Sequence, residues 1–364
     1  MKTIDYTENI TDTLSFPPYF QLNYADSRLL FFDIETTGFA AAHTTLYLIG
    51  ILWYEDNKIH IRQWFNEDGY SEQALLCAFN DFSRHFDCLV HFNGLGFDLP
   101  YLRTKHSKYQ SDNLIYENLQ QIDIYRLIRP YKDILSLDSL KQTAVEDYLG
   151  ITRNDTYSGK ELIHIYQRYV ARPNEKEEQL LLLHNHDDLL GMPQVSVILN
   201  YKAFFEQMLP YNIQLDITPQ QLTIRFNYDS SFDLPKRIAL TRHNLYLNAS
   251  EQQAQLCIPI IHTTLPHYFD DYKNYYYLPE EDMAIHKSVA TYVEPSRRIK
   301  ATKNTSYIKQ TDDFIPCFTT DAFDIYKEDP HSTEYYQTLQ SLASAPQDLK
   351  IIYIQSLLNC FAIS

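Results

Sequence analysis

Phe31-Phe32-Asp33-Ile34-Glu35-Thr36-Thr37-Gly38 is the stretch that gives the clearest indication of the fold. Its apolar residues predict a buried strand over 29–34. Because side chains alternate between the two faces of a strand, Asp33 and Glu35 project to the same side. Two neighbouring carboxylates repel each other unless a cation lies between them, and hard divalent ions such as Mg²⁺ or Mn²⁺ prefer oxygen ligands. A solvent-facing pair at the end of a core strand would have the same sequence, so this motif alone leaves both interpretations open.

The residues on either side alternate between strand and helix patterns. β-Branched and aromatic residues predict strands over 45–54 and 58–65, joined by the polar turn Glu55-Asp56-Asn57. Apolar residues at helical spacing predict a helix over 71–86. Further strands are predicted over 88–92 and 122–127, and helices over 99–105, 137–149, 160–170 and 175–199. This order predicts an α/β fold with a mixed five-stranded sheet flanked by helices.

Beyond about residue 201 the pattern changes to alternating residues typical of antiparallel strands. Strands are predicted over 222–228, 237–247 and 255–263, and helices over 335–345 and 347–358. Pro210 and Pro219 lie near the change. The sequence therefore predicts an N-terminal extension (1–26), an α/β domain (27–205) and a C-terminal β-rich α+β domain (206–364) to which it assigns no role.

Composition restricts the function classes. The net charge of −16 argues against a broad surface that coats DNA, so any contact with nucleic acid must use local basic patches. The five cysteines are scattered without a CxxC pair, which argues against a structural zinc site and a disulfide framework and predicts a cytoplasmic protein. No apolar stretch approaches 18 residues, and residues 1–16 lack the apolar core of a signal peptide, so no membrane association is expected.

A second carboxylate stands in His91-Phe92-Asn93-Gly94-Leu95-Gly96-Phe97-Asp98-Leu99-Pro100-Tyr101-Leu102. Here an apolar strand runs into a glycine-containing turn, and Asp98 lies where a helix begins. Asp98 could simply cap that helix, a role that Pro100 in the first turn would suit. The glycines would alternatively let the backbone approach a phosphate group closely.

A third group of polar residues lies in Leu181-Leu182-Leu183-His184-Asn185-His186-Asp187-Asp188-Leu189-Leu190. Residues four apart share a helix face, so His184 and Asp188 can reach one site, whereas Asp187 points elsewhere. A histidine and an aspartate at this spacing are also common on exposed helices, which makes the pattern weak by itself.

Together the three motifs resemble the DEDD exonucleases of the ribonuclease H-like superfamily, in particular the YprB-like predicted exonuclease branch. The third motif of that branch reads His-Asn-x-x-Asp followed by apolar residues, as 184–190 do here. The resemblance covers about 27–200 and includes four shorter segments: Ser139-Leu140-Lys141, Leu149-Gly150-Ile151, Ser158-Gly159 and 166–169.

The resemblance implies a metal-dependent nuclease acting on DNA or RNA, with 3′–5′ exonuclease polarity and two Mg²⁺ or Mn²⁺ ions. It assigns His184 as general base, although His184 stands four residues before Asp188, the spacing of the tyrosine-type enzymes, whereas the histidine-type enzymes have five. It also implies that Thr36, Thr37 and Asn93 lie near the terminal nucleotide. The implied metal ligands are Asp33, Glu35, Asp98 and Asp188. A structure-selective endonuclease on the same fold, or a catalytically silent nucleic-acid-binding module, remains an alternative.

Other polar residues have two interpretations each. Asp123 could support the site or make a structural hydrogen bond. Lys105, His106 and Lys108 could touch a phosphate backbone or lie on a solvated helix face. The basic run 297–303, which follows Tyr275-Tyr276-Tyr277, could grip a single strand or form the charged rim of a β-sheet.

Overall fold

The computed structural model describes residues 1–11, 14–110, 113–153, 155, 157–319 and 321–362. They form two compact units, Met1–Ala203 and Phe204–Ser364. Among these residues, no helix combines the length and the apolar character that crossing a bilayer requires.

A mixed six-stranded sheet forms the centre of the first unit. Its strands are β1 (Lys2–Asn9), β2 (Leu29–Thr36), β3 (Leu46–Glu55), β4 (Lys58–Phe65), β5 (Cys88–His91) and β6 (Gln120–Asp123). They lie in the order β1-β4-β3-β2-β5-β6. β2, β5 and β6 run parallel to one another, and the other pairs are antiparallel.

Helices α2 (Glu72–Ser83) and α3 (Asp98–Lys108) cover one face of this sheet, and α6 (Gly159–Ala171) and α7 (Glu175–Val195) cover the other. The remaining helices are α1 (Pro18–Tyr24), α4 (Ile124–Ile128), α5 (Gln142–Leu149) and α8 (Leu199–Glu206). The sheet with its two helical layers confirms the predicted α/β class.

Alternation along β2 decides which side chains enter the core. Phe32 points to the face covered by α2 and α3, where it stacks on Phe79 with ring centroids 5.2 Å apart. Asp33 and Glu35 therefore point to the opposite face, along which α7 packs. The core on that second face includes Tyr47 and Phe65, which pack against α6 and α7. The same strand thus supplies the core on one side and carboxylates on the other.

The N-terminal segment corrects the predicted five-stranded sheet, because it adds a sixth strand. β1 pairs antiparallel with β4, with Lys2 opposite Phe65 and Asn9 opposite Lys58. At least every second residue of β1 is exposed, and its sequence, KTIDYTEN, contains polar residues at those positions. The segment therefore has no apolar run that would have predicted a strand. An edge strand with one solvated face needs no such run.

Two further boundaries in this unit differ from the predictions. The strand predicted over 122–127 ends at Asp123, which is the N-cap of α4 and accepts a hydrogen bond from the Arg126 amide at 3.4 Å. The helix predicted over 137–149 begins only at Gln142.

The second unit contains three antiparallel sheets and confirms the predicted β-rich composition. Its five-stranded sheet has the order β7-β8-β11-β10-β9, where the strands are β7 (Tyr211–Ile217), β8 (Gln221–Asn227), β9 (Ile238–Arg242), β10 (Leu245–Ser250) and β11 (Gln253–Pro259). The strands of the two smaller sheets are β12 (Ile261–Tyr268), β13 (Tyr275–Leu278), β14 (Met283–His286), β15 (Ile299–Lys300), β16 (Tyr307–Pro316) and β17 (Tyr336–Thr338). One sheet has the order β12-β16-β17 and the other β14-β13-β15. The helices of this unit are α9 (Lys287–Ala290), α10 (Leu339–Ser344) and α11 (Gln347–Ala362).

Three predictions for this unit were wrong in detail. The single strand predicted over 255–263 is divided between β11 and β12, which separate at Ile260 and belong to different sheets. The single strand predicted over 237–247 is a hairpin, because His243 and Asn244 adopt positive φ angles of 49° and 60° and turn the chain between β9 and β10. The helix predicted over 335–345 is preceded by β17 and begins after Thr338, whose hydroxyl accepts a hydrogen bond from the Ser341 amide.

Candidate active site

The parallel strands β2, β5 and β6 end at one edge of the sheet, and the predicted carboxylates gather there. Asp33 and Glu35 lie on β2 itself. Asp98 is the first residue of α3, which follows the turn after β5. The N-cap position belongs to Phe97, and Asp98 is the first residue of the helix itself, so Asp98 is not the N-cap.

Helix α7 brings His184 and Asp188 to the same edge. The Nε2 atom of His184 lies 3.7 Å from Oε1 of Glu35 and 3.5 Å from Oδ2 of Asp188. One ligand atom from each of these three residues falls within 4.8 Å of the others. The four-residue spacing on α7 therefore directs both side chains at the carboxylates of β2.

Burial and mutual charge shift the pKa values of the carboxyl groups at this edge. Burial raises the pKa of Asp33 well above its usual range, and the charges of Asp188, Glu35 and Asp98 raise it further. Burial likewise raises the pKa of Glu35 and that of Asp98 to about 7 each. Such crowding is unfavourable unless cations lie among the oxygens, so this oxygen-rich donor set fits hard divalent ions.

Arg153 is a cation in contact with this cluster that the sequence motifs did not indicate. Its Nη2 lies 2.5 Å from Oδ1 of Asp188, and its Nη1 lies 3.1 Å from Oε2 of the buried Glu146. Gln142 donates from Nε2 both to Glu146 and to the main-chain carbonyl of Asp188, at 2.9 and 3.0 Å. Asp188 is thus held from the side of α5 as well as by its own helix.

Asp155 is a second residue that the motifs missed. Its Oδ2 lies 2.5 Å from Nδ1 of His184, and its side chain is 3% exposed. Its amide donates to Oδ2 of Asp187 at 2.8 Å. This contact fixes the imidazole so that Nε2 faces Glu35 and Asp188. Burial lowers the pKa of His184, but the surrounding carboxylates outweigh that effect and leave the pKa above its ordinary value.

Asn185 positions Asp33. Its Nδ2 donates to Oδ2 of Asp33 at 2.9 Å, while its Oδ1 accepts from Nε2 of Gln63 at 2.9 Å. Gly50 is the residue opposite Asp33 on β3, and a Cβ there would lie 1.9 Å from Oδ1 of Asn185. A glycine is therefore required for α7 to approach the sheet at this point.

The family comparison agrees with this arrangement. A family model described as RNase_H superfamily matches residues 30–200. Residues 30–200 therefore form a ribonuclease H-like domain. Ribonuclease H-like nucleases generally use divalent metal ions, which agrees with the oxygen-rich donor set of this site.

Two similar proteins extend the comparison. The uncharacterized protein YprB of Bacillus subtilis (strain 168) is 25% identical over 198 residues, which are 51% of this chain and 45% of YprB. The match thus spans less than half of YprB and confirms the resemblance to the YprB-like branch. The family B DNA polymerase of the archaeon Pyrobaculum calidifontis has 14% sequence identity and a TM-score of 0.37, over 68% of this chain and 35% of the polymerase.

The three residues expected near a terminal nucleotide occupy two places in the ribonuclease H domain. The hydroxyl of Thr36 donates to the carbonyl of Gly38 at 3.0 Å, and that of Thr37 accepts from the amide of Thr45 at 2.8 Å. Both hydroxyls therefore stabilise the turn between β2 and β3. Asn93 is exposed, with a φ of 64°, in the turn after β5.

Asp123 anchors that turn of the ribonuclease H domain. Its carboxylate accepts from the main-chain amides of Asn93 and Leu95, at 2.9 and 3.2 Å, besides capping α4. Gly94 packs against His91, since a Cβ at Gly94 would lie 2.6 Å from the imidazole ring. Of the two interpretations of Asp123, these contacts favour the structural hydrogen bond.

The other basic candidates contact residues outside the carboxylate site. Lys105 is buried and lies 2.6 Å from Oε1 of Glu72, so neither of its two interpretations is correct. His106 is also buried, and Lys108 lies 3.3 Å from Oε2 of Glu72. His186, the other histidine of the third motif, packs edge-on against Tyr6 of β1 with centroids 4.9 Å apart.

The basic run 297–303 belongs to the second unit. Arg297 pairs with Glu280 and Glu281 at 2.9 and 2.6 Å. The guanidinium of Arg298 lies over the ring of Tyr276, 5.0 Å from its centroid. Since β15 pairs with β13 here, these contacts match the charged rim of a β-sheet.

Proposed function

We propose that the ribonuclease H domain is a two-metal-ion nuclease that removes nucleotides from the 3′ end of DNA or RNA. The observation that carries this proposal is that Glu35 and Asp188 lie within 3.7 Å of the His184 imidazole, while the buried Asp33 and Asp98 are close enough to feel the charges of the same carboxyl groups. The four carboxyl groups belong to a strand, a helix start and a late helix: Asp33, Glu35, Asp98 and Asp188. The exonuclease polarity rests on the resemblance to the YprB-like branch.

Asp33, Glu35, Asp98 and Asp188 are the residues that would hold the two Mg²⁺ or Mn²⁺ ions. When bound, such ions lower the pKa of an attacking water and stabilise the attacking and leaving oxygens of the phosphodiester. Buried carboxyl groups that lie near one another are suited to this task, because a bound cation offsets both the cost of burying their charges and their mutual repulsion.

His184 acts as the general base in this proposal. Its Nε2 accepts the proton of the attacking water, while Asp155 holds the proton on Nδ1 and stabilises the imidazolium that forms. Asn185 keeps Asp33 oriented through its 2.9 Å hydrogen bond. Asn93, on the exposed turn after β5, is the side chain proposed to contact the terminal nucleotide.

The proposal includes the domain limits 27–205 for the nuclease domain and a cytoplasmic location. All five cysteines are free, which suits a reducing compartment.

Cleavage of end-labelled DNA and RNA tests this function. With Mg²⁺ or Mn²⁺, the wild-type protein should shorten 5′-labelled single strands stepwise from the 3′ end. It should not cleave them when a chelator is present. Asp33→Asn and Asp188→Asn should each lose at least about 1,000-fold of this activity, because each removes a metal ligand. Asp147→Asn, on the exposed side of α5, is the matched control and should cleave normally.

Different products would assign a different function. Internal fragments, or cleavage of circular single strands, would identify the structure-selective endonuclease. Binding of nucleic acid without any metal-dependent cleavage would identify the silent binding module and discard the nuclease.

A further inference from the structure

An open cleft of about 710 Å³ lies beside the carboxylate site in the ribonuclease H domain. The turn after β5, helix α4 and the segment 129–142 form its walls. Its volume falls within the range of about 300–1,000 Å³ that holds drug-sized ligands, but it is far too small for a double helix.

Two lining residues connect this cleft to the carboxylate site. Gln142 lines the cleft and donates from Nε2 to the carbonyl of Asp188 at 3.0 Å. Asn93 also lines the cleft and lies in the turn that leads to Asp98. The cleft is therefore adjacent to two of the segments that carry the carboxylates.

The cleft concentrates positive charge in an acidic protein. Three basic side chains line it, Arg129, Lys132 and Lys141, against two acidic ones, Asp133 and Asp138. Within the part of the chain that the structure describes, none of the three basic groups lies within 4.0 Å of a carboxylate oxygen. Their charges are therefore available to an external anion, although the whole chain carries −16.

Two aromatic side chains, Phe92 and Tyr125, also line the cleft. Phe92 and Tyr125 are each half-buried, with ring centroids 6.4 Å apart and planes at 67°. A ring that is packed on one side and open on the other offers a surface on which an unpaired base can stack. Paired bases inside a duplex cannot use such a surface.

We infer that this cleft, named here the strand cleft, binds a single strand of nucleic acid that leads into the carboxylate site. Phosphates contact Arg129, Lys132 and Lys141, and bases stack on Phe92 and Tyr125. The inference rests on the proposed nuclease function and adds to it the strandedness of the substrate and the path that the strand takes.

Two triple variants with the same change of charge test this inference. The cleft variant is Arg129→Ala/Lys132→Ala/Lys141→Ala. The control variant is Lys160→Ala/Arg172→Ala/Lys176→Ala, whose exposed residues lie in or beside α6 and α7 and do not line the cleft.

The first readout is binding, which does not depend on catalysis. Fluorescence anisotropy measures the Kd of a labelled 12-nucleotide oligothymidylate with Ca²⁺, an ion that also prefers oxygen ligands. The cleft variant should bind at least 10-fold more weakly than the control variant. Its slope of log Kd against log salt should fall by about 2, because each phosphate contact on a single strand contributes about 0.7. Equal Kd values for the two variants, or no binding by the wild-type protein, would overturn the inference.

A variant of Tyr125, an abasic oligonucleotide and a blunt duplex test whether bases stack on the aromatic side chains of the cleft. Tyr125→Ala should weaken oligothymidylate binding by about 5- to 150-fold, the range expected for loss of one stacked base. The same variant should bind an abasic oligonucleotide of equal length as well as the wild-type protein does. A blunt duplex that competes as effectively as the single strand would contradict the assignment to single strands.

The second readout separates the cleft from the catalytic site. The p-nitrophenyl ester of thymidine 5′-phosphate needs the carboxylate site but carries no upstream strand. The cleft variant should hydrolyse this ester within about twofold of the wild-type rate, while its KM for oligothymidylate rises at least 10-fold. If the wild-type protein hydrolyses neither substrate, the proposed function fails, and the binding data still decide whether the cleft holds a single strand.

Discussion

Replacing Asp155 by asparagine tests whether the buried contact with His184 serves catalysis. In the wild-type protein the carboxylate accepts the Nδ1 proton at 2.5 Å and leaves Nε2 free to accept another. An asparagine amide can instead donate to Nδ1, which shifts the ring proton to Nε2. The ring nitrogen that faces Glu35 and Asp188 is then already protonated and can no longer act as a base.

The size of the effect follows from two contributions. Loss of a hydrogen bond to a charged group removes about 1.5–3 kcal/mol, or roughly 10- to 150-fold in rate. Loss of the general base itself removes about 10²–10⁴-fold. The second contribution dominates, because the variant keeps a hydrogen bond but with the wrong tautomer. We therefore expect kcat of Asp155→Asn to fall by at least about 100-fold.

Steady-state cleavage of a labelled oligonucleotide, combined with Mn²⁺ titration, measures this effect. KM and the Mn²⁺ affinity should stay within about threefold of the wild-type values, because Asp155 contacts the histidine and not the four carboxylates. Asp147→Asn is again the matched control. A kcat within threefold of wild type would refute the role of Asp155, and a loss of Mn²⁺ affinity equal to the loss in kcat would show a purely structural effect.

Three further predictions concern stability. Gly50→Ala should lower the free energy of unfolding by about 1–3 kcal/mol in urea titrations, because its Cβ collides with Asn185; an unchanged midpoint would contradict this contact. The pKa of Asp98 is raised to about 7, so the stability that its neutral form gives is complete below pH 4 and is lost as the pH rises through 7. In metal-free buffer at pH 8, the free energy of unfolding of Asp98→Asn should therefore exceed that of the wild-type protein by about 2–4 kcal/mol, and this gap should shrink as the pH falls and close near about pH 4; a gap that stays constant over this range would contradict the raised pKa. Lys105→Met should lower the free energy of unfolding by about 3 kcal/mol in chemical denaturation, because it leaves the buried Glu72 without its closest cation. A decrease of less than about 1 kcal/mol would contradict the importance of that ion pair.

Local patterns were sufficient to predict five of the six strands of the central sheet and to place Asp33 and Glu35 on one face of β2. The alternation around Asp33 and Glu35 and the four-residue spacing of His184 and Asp188 are short-range features that the final fold preserves. These features depend only on strand and helix geometry.

The supporting residues could not be predicted in this way. Asp155 and Arg153 lie in a segment without periodicity, and each contacts a partner 29 or 35 residues further along the chain. Such contacts arise from the path of the loop after α5. Glu146 and Gln142, which also surround Asp188, resemble any other polar residues of an amphipathic helix.

Turns without glycine account for another error. The chain has only eight glycines, and it often turns through other residues with positive φ angles. The polar pair Asp56 and Asn57 was predicted as a turn and is one. His243 and Asn244 form a turn of the same kind, but the apolar residues on both sides predicted one continuous strand.

Anomalous diffraction from crystals soaked in Mn²⁺ is the most direct measurement of whether the four carboxylates form a metal site. We expect two peaks about 3.5–4 Å apart among Asp33, Glu35, Asp98 and Asp188, with one of them lost in Asp33→Asn. Crystals that show no peak within bonding distance of these four side chains, while Mn²⁺ binds elsewhere on the protein, would contradict the proposed metal centre.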